Sequence, residues 1–225
     1  MRSKTLYIML LAAAWLMAAD IAVILLVLPD EAAQGAVYRI IFFHVPAAWT
    51  ALLACLAAFL ASCLYLLKRD FRWDALAVAT TEVGLAFGAA NLITGMIWAR
   101  VIWGIWWTWD ARLTSMLVCW VLYAGYLMLR RAVEEPAQRA RAAAVFNIFA
   151  FADVPVVFFS IRWWRTQHPQ PVVWGGGFMD AAMWRMLFLN WVPLLLLFVA
   201  LVALRMRQEQ AARRLDGLRR RAHAF

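Results

Sequence analysis

Charge is scarce in this chain: Asp, Glu, Lys and Arg make up 16% of its 225 residues, against 66% hydrophobic residues. Soluble domains carry about 25% charged residues, so a soluble globular reading is excluded. Cysteine is scarce as well. Cys55, Cys63 and Cys119 all fall in apolar stretches and no CxxC occurs, which argues against thiol redox chemistry and zinc binding. No period-two alternation marks the strands of a membrane barrel. No internal repeat suggests an inverted-repeat transporter. The glycine run Gly175–Gly177 in VVWGGGF lacks the Lys-Ser/Thr of a phosphate loop and reads as a hinge, so the chain binds no ATP by itself.

What is present is apolar length. A membrane helix needs about 20 mostly apolar residues, and the mean hydropathy of +0.72 reflects six such stretches. They lie near residues 5–28, 45–67, 77–97, 113–129, 143–161 and 186–204. The first opens like a signal peptide but runs on past signal-peptide length without a small-x-small cleavage site, so it counts as a helix. No connection is long enough to fold separately. The expectation is an all-α, polytopic six-helix bundle, 1–225, as one membrane domain.

Sixteen of the 22 Lys and Arg residues fall at the N-terminus, in the second and fourth connections and in the tail 205–225. Positive charge concentrates on the cytoplasmic side, which puts both termini in the cytoplasm and segments 29–44, 98–112 and 162–185 outside. The net charge of +9 is mostly this bias together with a basic tail suited to the anionic bilayer surface; it is no argument for nucleic-acid binding. The tail reads as a helix continuing out of the last span.

The external segment 98–112 contains WGIWWTWD, four tryptophans in seven residues followed by Asp110. Interfacial belts disperse tryptophan around a bundle, and this density exceeds anchoring. Laid as a helix in the headgroup plane, Trp103, Trp106 and Trp107 would share one face and build an indole platform, with Trp109 and Asp110 beside it and Gly104 leaving room for close approach. Two histidines share this side: His44 in RIIFFHVPAAW and His168 in RWWRTQHPQP, whereas His223 belongs to the tail. Imidazole suits iron, and two histidines flanking an aromatic surface suggest axial ligands for a flat metal macrocycle. Arg39, Arg100, Arg112, Arg162 and Arg165 offer forks for propionates, or contacts to lipid phosphate. Asp110 is expected to cap the fourth span while pairing with Arg112. Within the spans, Asp20, Asn91, Asn147 and Asp153 read as interhelical contacts and Glu82 as a snorkelling residue.

These segments closely resemble the tryptophan-rich "WWD" signature and two external histidine segments of the haem-handling proteins of cytochrome c biogenesis, most of all the six-span CcmC family of system I. The resemblance covers essentially the whole chain, apart from the basic tail. It implies a non-enzymatic protein of the bacterial inner membrane that presents b-type haem (iron protoporphyrin IX) at the periplasmic face. His44 and His168 would be the axial ligands. Trp103, Trp106, Trp107, Trp109 and Asp110 would meet the porphyrin, with Arg39, Arg100 and Arg112 near its propionates. The implied partners are the haem chaperone CcmE and the CcmA, CcmB and CcmD membrane complex. The alternatives are a scaffold or permease subunit of an ABC-type complex without its own haem site, an ordinary permease or drug exporter, whose polar midplane site would use Asp20 with Asp153, and a b-type cytochrome, which normally carries its histidines within spans.

Overall fold

The computed structural model describes residues 3–170 and 179–222; the Gly175–Gly177 hinge and His223 lie outside the described residues. The elements are α1 (Ser3–Leu26), a 3-10 turn (Ala36–Ile40) leading into α2 (Ile41–Lys68), α3 (Phe71–Ile102), α4 (Ala111–Ala132), α5 (Pro136–Phe151), α6 (Asp153–Trp163) and α7 (Ala181–Ala222). Among the described residues, six segments are long and apolar enough to cross a membrane, α5 and α6 together making the fifth. Pro155 accounts for the break between them, since it cannot donate to the carbonyl of Phe151 four residues back.

Polar residues set the helix starts. Asp70 accepts from the Arg72 amide at 2.8 Å and starts α3, and Glu135 accepts from the Ala137 amide at 2.9 Å, with Pro136 as the first residue of α5. Only Arg69 and Asp70 separate α2 from α3, and the two pack as a close hairpin. Ala47, Ala51, Ala54, Ala58 and Ala61 recur on one buried face of α2. A Cβ placed on Gly84 of α3 would lie 2.6 Å from Ala54 Cβ, so the approach requires glycine there.

An even number of spans brings both ends to one side, where Arg207 of α7 lies 3.5 Å from Ser3 of α1. The tail is helical as expected, continuing α7 to Ala222; 42 residues at 1.5 Å each make roughly 63 Å, about twice a bilayer core. At this end Asp74 and Arg130 form a buried ion pair at 2.6 Å, joined by Arg213 and Glu209 of α7. Glu82 corrects an expectation. It does not snorkel but pairs with Arg205, whose Nη2 donates to Oε1 at 3.0 Å. Asp20 and Asp153 stand on α1 and α6, whose principal neighbours are α7 and α4 respectively.

Candidate functional site

His44 lies in the first turn of α2, and that turn is held by side chains from two other helices. Pro46 has no N–H for the carbonyl of Phe42, and the Asn190 amide of α7 donates to that carbonyl instead. From α3, Asn91 Nδ2 donates to the His44 carbonyl at 3.1 Å. The same nitrogen lies 3.2 Å from both Nδ1 and Nε2 of the imidazole. An atom equidistant from both without striking a ring carbon must sit over the ring face. Thr94 Oγ1 is 3.0 Å from Nδ1. Gly95 provides the space beside the ring, since a Cβ there would come within 3.0 Å of Cε1.

His168 is held differently, on the loop after α6. Its Nδ1 lies 2.8 Å from the Pro169 carbonyl. A carbonyl only accepts, so Nδ1 carries the proton and Nε2 the free lone pair. Asp110 anchors this loop. Its Oδ1 accepts from the Arg112 amide at 2.9 Å, as the expected cap of α4, and from Thr166 Oγ1 at 2.7 Å. Its Oδ2 accepts from the Gln167 amide at 3.0 Å. Thr166 Oγ1 in turn accepts from the His168 amide at 3.0 Å, and Gln167 Nε2 donates to Thr108 Oγ1 at 3.1 Å. One carboxylate thus ties the tryptophan segment to the His168 loop.

The electrostatics follow from this enclosure. Burial pushes the His168 imidazole down to about 4, with the nearby Arg112 charge acting the same way. Burial alone would raise Asp110, but the hydrogen bonds from Thr166, Arg112 and Gln167 and the proximity of His168 hold it below the usual carboxylate range. His44 lies within electrostatic reach of both His168 and Arg112. The fold therefore gathers His44, His168, Asp110 and Arg112 at one end of the bundle.

Two expectations about the tryptophan segment need correction. It is not a helix: α3 absorbs Trp98 and runs to Ile102, after which residues 103–110 turn irregularly through Gly104 at φ +76°. Nor do the indoles form one flat shelf. Trp98 and Trp103 meet edge to face at 5.0 Å and 79°, and Trp107 and Trp109 at 5.9 Å and 83°, the arrangement that ring quadrupoles favour. Trp106 and Trp109 are 54% and 77% exposed, while Trp107 Nε1 is buried without a hydrogen-bond partner among the described residues.

Arg39, Arg100 and Arg112 are engaged with backbone. Arg112 donates to the Val157 carbonyl rather than pairing with the Asp110 carboxylate, a third correction, because the cap turns that carboxylate toward amides. Arg100 donates to the Gly104 carbonyl. Arg39 donates to the Leu28 carbonyl at 2.9 Å and pairs with Asp30 at 2.9 Å. Thr94, Gly95, Thr166 and Gln167 escaped the sequence reading. The N-x-x-T-G spacing of Asn91, Thr94 and Gly95 puts all three on one face of α3, and that was the available signal.

A family model described as heme exporter protein C matches residues 1–221. The chain is 38% identical over 192 residues to heme exporter protein C of Bradyrhizobium diazoefficiens, covering 84% of this chain and 73% of that protein. It is 35% identical over 193 residues to heme exporter protein C of Paracoccus denitrificans, covering 84% and 80%. Over 142 residues it is 37% identical to the Escherichia coli protein of the same name, covering 62% and 57%. The chain, an all-helical protein with six membrane-length segments, belongs to the heme exporter protein C family, CcmC.

Proposed function

We propose that this protein holds haem at the periplasmic face of the bacterial inner membrane and delivers it to the haem chaperone CcmE during cytochrome c maturation. Family membership supports a role in haem handling. The observation that carries the finer reading is that Asp110 ties the His168 loop to the end of the tryptophan segment, with His44 within electrostatic reach of His168. His44 and His168 take the two axial positions of b-type haem, here a cargo rather than a resident cofactor. Enclosure keeps the His168 imidazole neutral, and only a neutral imidazole ligates iron.

The donor set fits such a ligand. Exposed indoles of Trp106 and Trp109 offer apolar faces to the porphyrin. The unpartnered Trp107 N–H supplies a buried donor for a polar edge group. Arg100, exposed and engaged by one carbonyl, is the arginine most readily turned to a propionate; Arg39 and Arg112 would first surrender bonds to chain carbonyls. Nothing in this arrangement asks for a catalytic group. The protein positions the cargo, screens the iron from both sides and leaves one edge open for CcmE, within a complex with CcmA, CcmB and CcmD.

Optical titration of the purified chain with haemin tests this. The expected result is a low-spin bis-histidine spectrum that neither His44→Ala nor His168→Ala reproduces. Wild-type spectra and haem content in both variants would overturn the ligation, and a reporter fused at the tryptophan segment that proved cytoplasmic would overturn the orientation.

A further inference from the structure

A histidine ligates iron with only one of its nitrogens, and the proton on the other decides which. For His44 that choice rests on a single hydroxyl. Thr94 Oγ1 lies 2.7 Å from the Ala90 carbonyl and 3.0 Å from the Asn91 carbonyl of its own helix. Both are pure acceptors, so the one hydroxyl proton is committed to the α3 backbone. At the third contact, 3.0 Å from His44 Nδ1, the Thr94 oxygen can then only accept. Nδ1 must carry the imidazole proton.

Among the described residues, Asn91 Nδ2 is the one polar contact of Nε2. Asn91 Nδ2 covers the ring face, and Gly95 borders the Cε1 edge without occupying it. We infer that Thr94 is the positioning residue of this site: its hydroxyl fixes His44 in the Nδ1–H tautomer and leaves Nε2 as the nitrogen with the free lone pair, the same nitrogen that His168 keeps unprotonated. Thr94 does not touch the cargo. It acts through His44, as second-layer hydrogen bonds to metal-binding histidines do, and Gly95 allows the ring to lie against α3 closely enough for the bond to form.

This inference rests on the haem reading for its purpose but not for its first test. Nitrogen NMR of the haem-free chain, labelled at histidine and held in detergent micelles, distinguishes a protonated Nδ1 from a protonated Nε2. His44 should show the Nδ1–H pattern. Thr94→Val, nearly the same shape without the oxygen, should shift it to a mixture or to Nε2–H, and Thr94→Ser should restore it. Haemin affinity should fall about tenfold or more in Thr94→Val and recover in Thr94→Ser. Should His44 keep Nδ1–H in Thr94→Val, or carry its proton on Nε2 in the unaltered chain, the assignment is overturned. Failure of the unaltered chain to bind haemin, with the expected tautomer pattern intact, would instead overturn the haem reading. A Gly95→Ala variant is a second arm: crowding at Cε1 should weaken haemin binding while the tautomer survives, and unchanged affinity there would remove Gly95 from the account.

Discussion

His44 and His168 are the same residue type at the same end of the bundle, but the protein supports them by opposite means. His44 sits inside a helix whose first turn is fixed by Asn190 of α7 and Asn91 of α3, with its ring enclosed between α2 and α3. His168 sits on a loop that depends on one carboxylate distant in the sequence, Asp110. As proposed axial ligands, two residues of equal chemistry therefore need not be equal in mobility. Under the proposed function the helical one is suited to staying in place and the loop-borne one to opening as haem enters or leaves, because loops draw on the low-stability end of a structure.

The largest effect that could break this comparison comes from removing each imidazole and offering it back. His44→Gly and His168→Gly should both abolish the bis-histidine haem spectrum. Free imidazole at millimolar concentration should then restore much of it in His168→Gly, where the lost ring leaves an open loop. It should restore little in His44→Gly, where the vacated space lies between packed helices and admits a solute poorly. Absorbance spectra of the two purified variants with and without imidazole decide the matter; equal rescue would erase the distinction.

Asp110 should come next in size. Asp110→Ala removes the cap of α4, worth about 1 kcal/mol in ordinary helices, and cuts both connections to the His168 loop. Haemin affinity should drop by about ten- to a hundredfold, the usual range for losing a group that orients a metal ligand. His44 lies outside this latch, so its ring resonances in the haem-free chain should barely move. Thr166→Val, which removes one of the two bonds to Asp110 and the bond from the His168 amide but leaves the cap and the Gln167 connection, should produce a smaller loss. Haemin titration and NMR of the same samples separate the two corners, and a large shift at His44 would show that they are one unit rather than two.

How much of this was legible in the sequence follows the range of each interaction. The spans, the common side of the termini and the helical tail follow from apolar length and charge placement, which are local properties. The Asp110 cap was legible too, because a cap needs only its own two or three following residues. The course of 103–110 was not. Helical spacing suggested a platform, but the chain leaves the helix at Trp103 and turns at Gly104 with positive φ, and the indoles pack edge to face instead. Arginines read as free forks are held by the Val157, Gly104 and Leu28 carbonyls. No spacing rule foretells which distant carbonyl lacks a donor. The same holds for Asp74 with Arg130 and for Glu82 with Arg205, which join helices far apart in the chain. Thr94 and Gly95 pass as ordinary small residues of a span until α2 is laid against them.

The smallest expected effect sharpens the comparison on the loop side, through the proton balance of His168. Folding pushes this imidazole from an ordinary 6.5 down to about 4, first by burial and then by the Arg112 charge, while the Pro169 carbonyl and the Asp110 carboxylate pull the other way. Because the folded form resists protonation, the enclosed loop is fully stable above pH 6.5 and loses stability as pH falls from 6.5 toward 4, where the open loop takes up the proton first. NMR titration of the haem-free chain should place the His168 midpoint near 4. Arg112→Gln should raise that midpoint by removing a nearby positive charge, and Asp110→Asn should lower it by removing the compensating negative one, provided the loop stays closed. A midpoint at 6.5 in the unaltered chain would mean that the loop stands open in solution. Asp110 would then be a helix cap alone, and closure would have to come from the cargo itself.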